Sequence, residues 1–191
     1  MLLQLLQYNV GQQHTVQDLL LASPEMACLD IVALQEPAVN SGQGTPSCSW
    51  AAGFWPGGNW EGGDPKEDQR IRVGFLMNKR LNTNQWTVDY HSQDLAVLTM
   101  ELDGRPCQVI NPYNEPMAST SQDLADNSPL LLLDQVTQRG PTILVGDMNL
   151  HHPWWGGTRV QHTHQAAWDL ISTTQDLGLQ LATPEGLVTR S

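Results

Sequence analysis

Short apolar runs that end at turn-forming residues recur along the chain, a pattern typical of β-strands. The first run covers residues 2–8 and stops at Asn9 and Gly11, although its leucine-rich composition would equally allow a helix. Further runs of this kind predict strands at residues 31–34, 72–77, 85–90, 95–102, 107–113 and 142–145.

Apolar residues recur at helical spacing in three other segments. They predict a helix over residues 12–22, which Pro24 terminates. Residues 121–138 also have a helical pattern, with Pro129 marking a break or a new N-terminus inside it. Residues 165–177 form the third amphipathic segment.

The order of these elements indicates the fold class. The four runs between residues 72 and 113 predict an antiparallel meander, with Asp103 and Gly104 at one hairpin turn. Strands and helices that mix without regular β-α-β alternation predict an α+β fold: two mostly antiparallel sheets packed face to face, with helices outside. A length of 191 residues predicts one domain. A strand-forming run at residues 187–189 stops at Ser191, so we expect this domain to lack its last strands.

The segment between residues 38 and 69 has no clear hydrophobic period and is rich in Gly, Pro, Ser and Trp. It contains Trp50, Trp55 and Trp60. Because linkers rarely carry tryptophan, we interpret this segment as a long functional loop.

The excess of acidic residues bears on which partners the protein can bind. The chain has 20 acidic and 9 basic side chains, a formal net charge of −11 and a sequence pI of about 4.7. It lacks the basic field that drives non-specific nucleic-acid binding, so bulk electrostatics argue against a nucleic-acid partner. An excess of carboxylates is also what a divalent-cation site requires, so their placement matters more than their number.

The sequence also bears on the cellular compartment. No apolar run approaches the ~20 residues of a membrane helix, and the N-terminus lacks the basic segment and cleavage site of a secretory signal. The cysteines Cys28, Cys48 and Cys107 are odd in number and widely spaced, which fits neither a disulfide framework nor a metal site. We therefore predict a soluble intracellular protein, nuclear or cytoplasmic, that is neither secreted nor membrane-bound.

Short polar groups directly follow four predicted strands. They are Asn9, Gln35 with Glu36, residues 111–114, and Asp147 with Asn149. Each alone is an ordinary turn or strand end, but strand ends are where a rigid sheet can hold the ligands of one site. Mg²⁺ uses oxygen ligands and one or two protein carboxylates, which suits Glu36 with Asp147 or Asn149. A second carboxylate that activates water would complete a phosphodiesterase site.

Four motifs resemble, in order and spacing, those of the endonuclease/exonuclease/phosphatase superfamily. They are Gln7-Tyr8-Asn9, Leu34-Gln35-Glu36-Pro37, Asn111-Pro112-Tyr113-Asn114 and Gly146-Asp147-Met148-Asn149. The block from Gly146 to Gly157, followed by Thr183-Pro184-Glu185-Gly186 and Thr189-Arg190, looks like the endonuclease domain of non-LTR (LINE-type) retrotransposons. The block is highly specific, and the resemblance covers essentially the whole chain.

The resemblance implies a four-layered α/β sandwich and Mg²⁺-dependent nicking of DNA, with Mn²⁺ as a substitute. It also implies a place in a larger polyprotein with a reverse transcriptase. By the same resemblance Glu36 is a metal ligand, with Asn9 and Asp147 beside it in the metal and phosphate site. Asp147 orients or deprotonates the attacking water, Tyr113 contacts the phosphate, and Asn149 helps to position the phosphate.

A loop signature of histidines and tryptophans is peculiar to the retrotransposon branch of that superfamily. It comprises His151, His152, Trp154 and Trp155. These residues are candidates for DNA contact, through stacking of a tryptophan on an unpaired base, although packing is the simpler interpretation of the tryptophans. A zinc site built from His151, His152, His162 and His164 is an alternative, against histidines that pack on the two tryptophans.

One departure from the family bears on activity. Family members end with a Ser-Asp-His motif that supplies a further aspartate and the active-site histidine, and this motif is missing from the 191 residues. His162 and His164 precede the third helix and cannot replace it by order of motifs. We expect the missing group to impair catalysis, because members of a catalytic set act as a unit. Three hypotheses stay open: a DNA endonuclease, an inactive remnant that binds metal or nucleic acid, and another phosphodiesterase of the superfamily such as an abasic-site nuclease.

Overall fold

A computed structural model describes residues 2–39, 47–54, 71–116, 128–160, 162–182 and 184. The chain divides into two compact units. The first comprises Met1–Tyr113 and Gln138–Asp147, and the second comprises Asn114–Thr137 and Met148–Ser191. All the strands that the structure describes lie in the first unit.

Four strands form the first sheet. They are Leu5–Asn9 (β1), Ile31–Gln35 (β2), Ala51–Phe54 (β3) and Val73–Asn78 (β4). Their order in the sheet is β1, β2, β4, β3; β1 runs parallel to β2, and the other pairs are antiparallel. Every residue of β2 and β4 is buried, as expected for the two central strands.

In the second sheet, the four strands lie side by side in the same order as they occur along the chain. They are Trp86–Ser92 (β5), Leu95–Leu102 (β6), Arg105–Pro112 (β7) and Thr142–Leu144 (β8). The strands β5, β6 and β7 are antiparallel, and β8 runs parallel to β7. Asp103 and Gly104 join β6 to β7 with φ of 49° and 74°. A two-residue hairpin turn of this type needs positive φ at both positions, so the predicted turn is confirmed.

The two sheets pack face to face through an apolar core that includes Ile31 and Phe75 from the first sheet and Leu98 from the second. Helix α1 (His14–Ala22) covers the other face of the first sheet, where its Leu20 joins the apolar cluster around Val32. The predicted sandwich of two sheets with helices outside is thereby confirmed. Each sheet is mixed, because one of its strand pairs is parallel.

The predicted four-stranded meander is partly wrong. β4 belongs to the first sheet, so the meander consists of β5, β6 and β7. β4 is buried along its whole length, which suits a central position between β2 and β3. β5 alternates half-buried and exposed residues, which is typical of an edge strand. Proximity in sequence therefore predicted the wrong neighbour for β4.

The segment of residues 38–69 is not a loop throughout, because Ala51–Phe54 forms the edge strand β3. Alanine and glycine have little strand propensity, which hides this strand in the sequence. Trp50, just before β3, is buried, and its indole nitrogen donates to the Leu21 carbonyl at 3.0 Å. Residues 40–46 and 55–70, with Trp55 and Trp60, lie outside the described residues.

Short helices make up the described secondary structure of the second unit. A 3₁₀ helix spans Pro129–Gln135, and the Ser128 hydroxyl caps it by accepting from the Leu130 N–H at 3.3 Å. This is the new N-terminus predicted at Pro129; residues 121–127 of the same predicted helix lie outside the described residues. Helix α2 (Pro153–Gly156) and the predicted α3 (Gln165–Asp176) follow. The run at residues 187–189 also lies outside the described residues.

In the part of the chain that the structure describes, no helix combines the length and the apolar character needed to cross a membrane.

A chain of hydrogen-bonded side-chain amides joins the two sheets. The Asn111 side chain, on β7, donates to the Leu34 and Gly74 carbonyls of the first sheet at 3.0 and 3.1 Å. Its oxygen accepts from the Gln35 side chain at 2.5 Å, and Gln35 accepts from Gln7 in turn. Asn111 and Gln35 are fully buried. Since buried polar groups are costly unless hydrogen-bonded, this chain favours one alignment of β2 against β7.

We predict that Asn111→Ala lowers the free energy of unfolding by about 2 to 3 kcal/mol, because the buried Gln35 amide and two carbonyls lose a partner. Urea denaturation measures this loss. The same substitution at the exposed Asn84 is the control and should stay within about 0.5 kcal/mol of the unsubstituted chain. Equal losses at both positions would show that the buried amides do not stabilise the sandwich.

Candidate active site

Two parallel strand pairs bring the predicted strand-end residues together in the first unit. Asn9 ends β1 and Glu36 follows β2, and these neighbouring parallel strands finish at the same edge of their sheet. Tyr113 follows β7 and forms an isolated parallel bridge with Asp147, which comes three residues after β8. Carboxyl ends of parallel strands are the usual location of ligand sites in α/β sheets.

Glu36 has a strained backbone that several contacts hold in place. Its φ is 46°, in the left-handed region that non-glycine residues rarely adopt. Its N–H donates to the Arg72 carbonyl at 2.7 Å, and its own carbonyl accepts from the Gln12 N–H at 2.8 Å. The Gln12 side chain also donates to the Glu36 carboxylate at 3.5 Å. Strain of this kind clusters at functional sites, where the surrounding structure maintains it.

Asp147 is held by Asn9. The Asn9 amide nitrogen donates to Asp147 Oδ2 at 2.9 Å, while the Asn9 Oδ1 atom accepts from the Gly11 N–H at 2.8 Å. Because both ends of the Asn9 amide are engaged, its nitrogen faces the carboxylate. In this arrangement Asn9 orients Asp147, and its role as a metal ligand stays a prediction.

Tyr113 lies near two carboxylates: it pairs with Asp147 through the parallel bridge, and the charge of Glu36 acts on its phenol. Tyr113 itself is 4% exposed. Burial raises the pKa of this phenol well above its usual value, and the negative charges of Glu36 and Asp147 raise it further, while Arg72 opposes them. Tyr113 therefore remains a neutral hydrogen-bond donor throughout the physiological pH range.

The chemistry of these donors fits a hard divalent cation. Glu36 and Asp147 are half-buried carboxylates, and both raise the pKa of the Tyr113 phenol. Two carboxylates repel each other in such a place, and a bound cation offsets this repulsion. Mg²⁺ takes oxygen ligands and uses one or two protein carboxylates, so the chemistry of these two side chains is compatible with it.

In the second unit, Asn149 is also in the left-handed region, with φ of 47°. Its side-chain nitrogen donates to the Asn114 carbonyl at 2.7 Å, and the Asn114 side chain donates to the Met148 carbonyl at 3.0 Å. Ser128 donates to the Asn114 side-chain oxygen at 2.9 Å. Asn114 and Asn149, which both belong to the sequence motifs, thus hold each other's side chains in place.

His152 packs in the loop that carries the His-Trp signature. It is 2% exposed, and its ring lies 5.7, 5.1 and 4.4 Å from the rings of Trp154, Trp155 and Trp168. Its Nδ1 accepts from the Trp154 N–H at 3.1 Å, which caps α2. Packing of this histidine on the tryptophans, the simpler interpretation of the loop, is confirmed. Trp154 and Trp168 remain about half exposed.

The structure gives no support to the zinc hypothesis. The His151 and His164 rings approach to 4.9 Å, and the His151 N–H donates to His164 Nδ1 at 3.2 Å. Burial and the neighbouring His151 lower the pKa of His164. Among the described residues, which include His152 and His162, no three His, Cys, Asp or Glu side chains are grouped to hold a metal ion.

Arg72 and Gln12 lie outside the sequence motifs, and Gly146 lies within one but has a role that only the structure shows. Arg72 and Gln12 contact Glu36 through backbone atoms, which leave no sequence signal. Gly146 has φ of 108°, and a Cβ there would lie 2.1 Å from the Pro112 carbonyl oxygen. That oxygen accepts from the Asp147 N–H at 3.3 Å, so only glycine lets Asp147 pair beside Tyr113.

We predict that Gly146→Ala lowers the free energy of unfolding by at least about 2 kcal/mol, because the backbone must move away from Pro112. Gly104→Ala is the matched control, since Gly104 also has positive φ but has nothing within 4 Å of an added Cβ. It should cost about 1 to 2 kcal/mol from backbone strain alone. Denaturant midpoints measure both changes, and a smaller loss at Gly146 than at Gly104 would contradict the close contact.

Comparisons with known proteins bear on the family and the fold of the chain. Residues 107–191 match the family model described as endonuclease-reverse transcriptase. No curated protein sequence matches the chain significantly.

Among solved structures, the endonuclease domain of TRAS1, a telomere-specific non-LTR retrotransposon, superposes with a TM-score of 0.64 at 17% identity, over 97% of this chain and 75% of that one. A humanised Danio rerio TDP2 gives a TM-score of 0.47 at 14% identity, over 94% and 68% of the two chains. A β-hairpin deletion mutant of Staphylococcus aureus beta toxin gives 0.47 at 12% identity, over 90% and 72%. The chain therefore has the α/β sandwich fold of the endonuclease/exonuclease/phosphatase superfamily, and its residues 107–191 match the endonuclease-reverse transcriptase family.

Proposed function

We propose that this chain is a Mg²⁺-dependent phosphodiesterase that nicks DNA, an endonuclease of the non-LTR retrotransposon type. The observation that carries the proposal is the grouping of motif residues at strand ends: Asn9 donates to Asp147 at 2.9 Å, and Asp147 pairs with Tyr113 through a parallel bridge. Glu36 follows the strand that pairs with β1. The match of residues 107–191 to the endonuclease-reverse transcriptase family supports DNA as the substrate.

Glu36 and Asp147 would hold Mg²⁺, for which Mn²⁺ can substitute because it also takes carboxylate oxygens. A bound divalent cation polarises a phosphoryl oxygen and stabilises the negative charge that develops on it. The chain's own residues then have separate tasks, set by the contacts that each one makes.

Asp147 serves as the general base. Asn9 holds its Oδ2 atom, so the carboxylate has a defined orientation toward an attacking water. As the water oxygen bonds to phosphorus, its proton passes to Asp147, and the bond from phosphorus to one ester oxygen breaks. Solvent protonates the oxygen that leaves.

Tyr113 donates its hydroxyl hydrogen to the phosphate. Its raised pKa keeps that hydrogen in place, and a preorganised neutral donor stabilises charge on a phosphoryl oxygen. Asn149 is assigned the partner role of positioning the phosphate, by the motif it shares with Asp147 and by its fixed side chain.

DNA contact would involve the exposed members of the His-Trp loop. His151 and Trp154 are exposed, whereas His152 is buried. An exposed tryptophan can stack on an unpaired base, which contributes about 1 to 3 kcal/mol per base. His152 and Trp155 would act by supporting Trp154. We further propose that the chain acts as one domain beside a reverse transcriptase, inside the cell.

We predict that Asp147→Asn lowers the rate of plasmid nicking with Mg²⁺ by at least about 10²-fold, because the general base is lost. The Asn side chain can still accept from Asn9, so the fold should be retained. Asp89→Asn, at an exposed position of β5, is the matched control and should nick at the unsubstituted rate. Equal rates in all three proteins would reject Asp147 as the base, and no nicking by the unsubstituted chain would favour an inactive binding remnant.

We also predict that chelation of divalent cations by EDTA abolishes nicking, and that Mg²⁺ or Mn²⁺ restores it, because the carboxylates need a cation to bind phosphate. Rates on plasmid DNA and on a small aryl phosphodiester provide the measurement. Nicking that persists in EDTA would contradict the metal requirement. Equal hydrolysis of both substrates would replace the DNA endonuclease with a general phosphodiesterase.

A further inference from the structure

Arg72 lies where the two sheets meet beside Tyr113, and its backbone bonds to both. Its N–H donates at 3.2 Å to the carbonyl of Gln93, between β5 and β6 of the second sheet. Its carbonyl accepts at 2.7 Å from the N–H of Glu36, just after β2 of the first sheet. A shift of Arg72 would therefore move the strained backbone of Glu36.

The side chain of Arg72 contacts the ring of Tyr113. The guanidinium carbon lies 5.7 Å from the ring centroid, within the range of a cation–π interaction. Arg72 Nε also lies 3.5 Å from Asp94 Oδ1. The Asp94 carbonyl in turn accepts from the Tyr113 N–H at 2.8 Å. Arg72, Asp94 and Tyr113 thus form a closed set of contacts.

We infer that Arg72 is a positioning residue of the candidate active site: its guanidinium, paired with Asp94, holds the Tyr113 ring, and its carbonyl holds Glu36, so that the phenol and the carboxylate stay aligned. This inference rests on the proposed function for its catalytic consequence. Its structural content, the hold of Arg72 on Tyr113, is independent of that function.

Charge explains why an arginine suits this position. Tyr113 is close to two carboxylates, and the positive guanidinium opposes their effect on the phenol. The planar guanidinium can also stack on an aromatic face while pairing with a carboxylate, which lysine does less well. The Arg72 and Asp94 side chains are 19% and 12% exposed, so water screens their interaction only partly.

A double-mutant cycle on nicking tests the inference. Arg72→Met should lower kcat by about 10- to 100-fold with little change in KM, because a small misplacement of a catalytic group is costly. The variant with both Arg72→Met and Tyr113→Phe should be no slower than Tyr113→Phe alone, since Arg72 acts through Tyr113. If the rate loss of the double variant equals the product of the two single losses, the inference is overturned.

Arg80→Met is the matched control. Arg80 also pairs with a buried aspartate, Asp30, at 2.7 Å, but at the other end of β4. It should keep the unsubstituted kcat. A loss as large as that of Arg72→Met would assign the Arg72 effect to general weakening of the fold and overturn the inference.

A spectroscopic measurement separates this inference from the proposed function. The chain has three tyrosines, so labelling their Cζ atoms with ¹³C gives three resonances, and Tyr113→Phe identifies one of them. Arg72→Met should move the Tyr113 resonance while those of Tyr8 and Tyr90 stay in place. If the unsubstituted chain does not nick DNA but the resonance moves, the proposed function fails and the positioning role stands. An unmoved resonance would overturn the positioning role, whatever the nicking result.

Discussion

The buried hydrogen bond between Gln35 and Asn111 is the interaction on which the candidate active site depends. It connects the last residue of β2 to β7 in the opposite sheet, and Asn111 adds two bonds to backbone carbonyls of the first sheet. Glu36 follows Gln35 directly, and Tyr113 comes two residues after Asn111. Because a buried amide without a partner is costly, the two sheets have one favourable alignment, and that alignment brings Glu36 to Tyr113.

The like charges of Glu36 and Asp147 near Tyr113 set a second constraint on the candidate active site. Glu36 and Asp147 both raise the pKa of Tyr113, and nearby cationic groups must offset their repulsion. Arg72 does so from one side, through its contact with the ring. The net charge of −11 therefore does not by itself exclude a phosphate substrate. What matters is the placement of individual charges, since Glu36, Asp147 and Arg72 all lie near Tyr113.

Much of the fold could be predicted from hydrophobic pattern alone. The strand β6 and the Asp103–Gly104 turn form as predicted, because alternation and turn chemistry are local properties. The sheet to which β4 belongs could not be predicted, since an apolar strand can be central in either sheet. The strand β3 was missed because Ala51, Ala52 and Gly53 have no strand signal of their own, and it forms by pairing with β4.

The sequence by itself determined which side chains are candidates for the chemistry, because Asn9, Glu36, Tyr113 and Asp147 stand at strand ends and within motifs that resemble those of the superfamily. Only the tertiary structure decided how these side chains meet. The Asn9 amide donates to Asp147, Tyr113 pairs with Asp147 through a parallel bridge, and Arg72 lies over the Tyr113 ring. Each of these contacts joins residues far apart in the chain. Such contacts depend on the pairing of strands and the packing of sheets, which no local pattern of residues encodes.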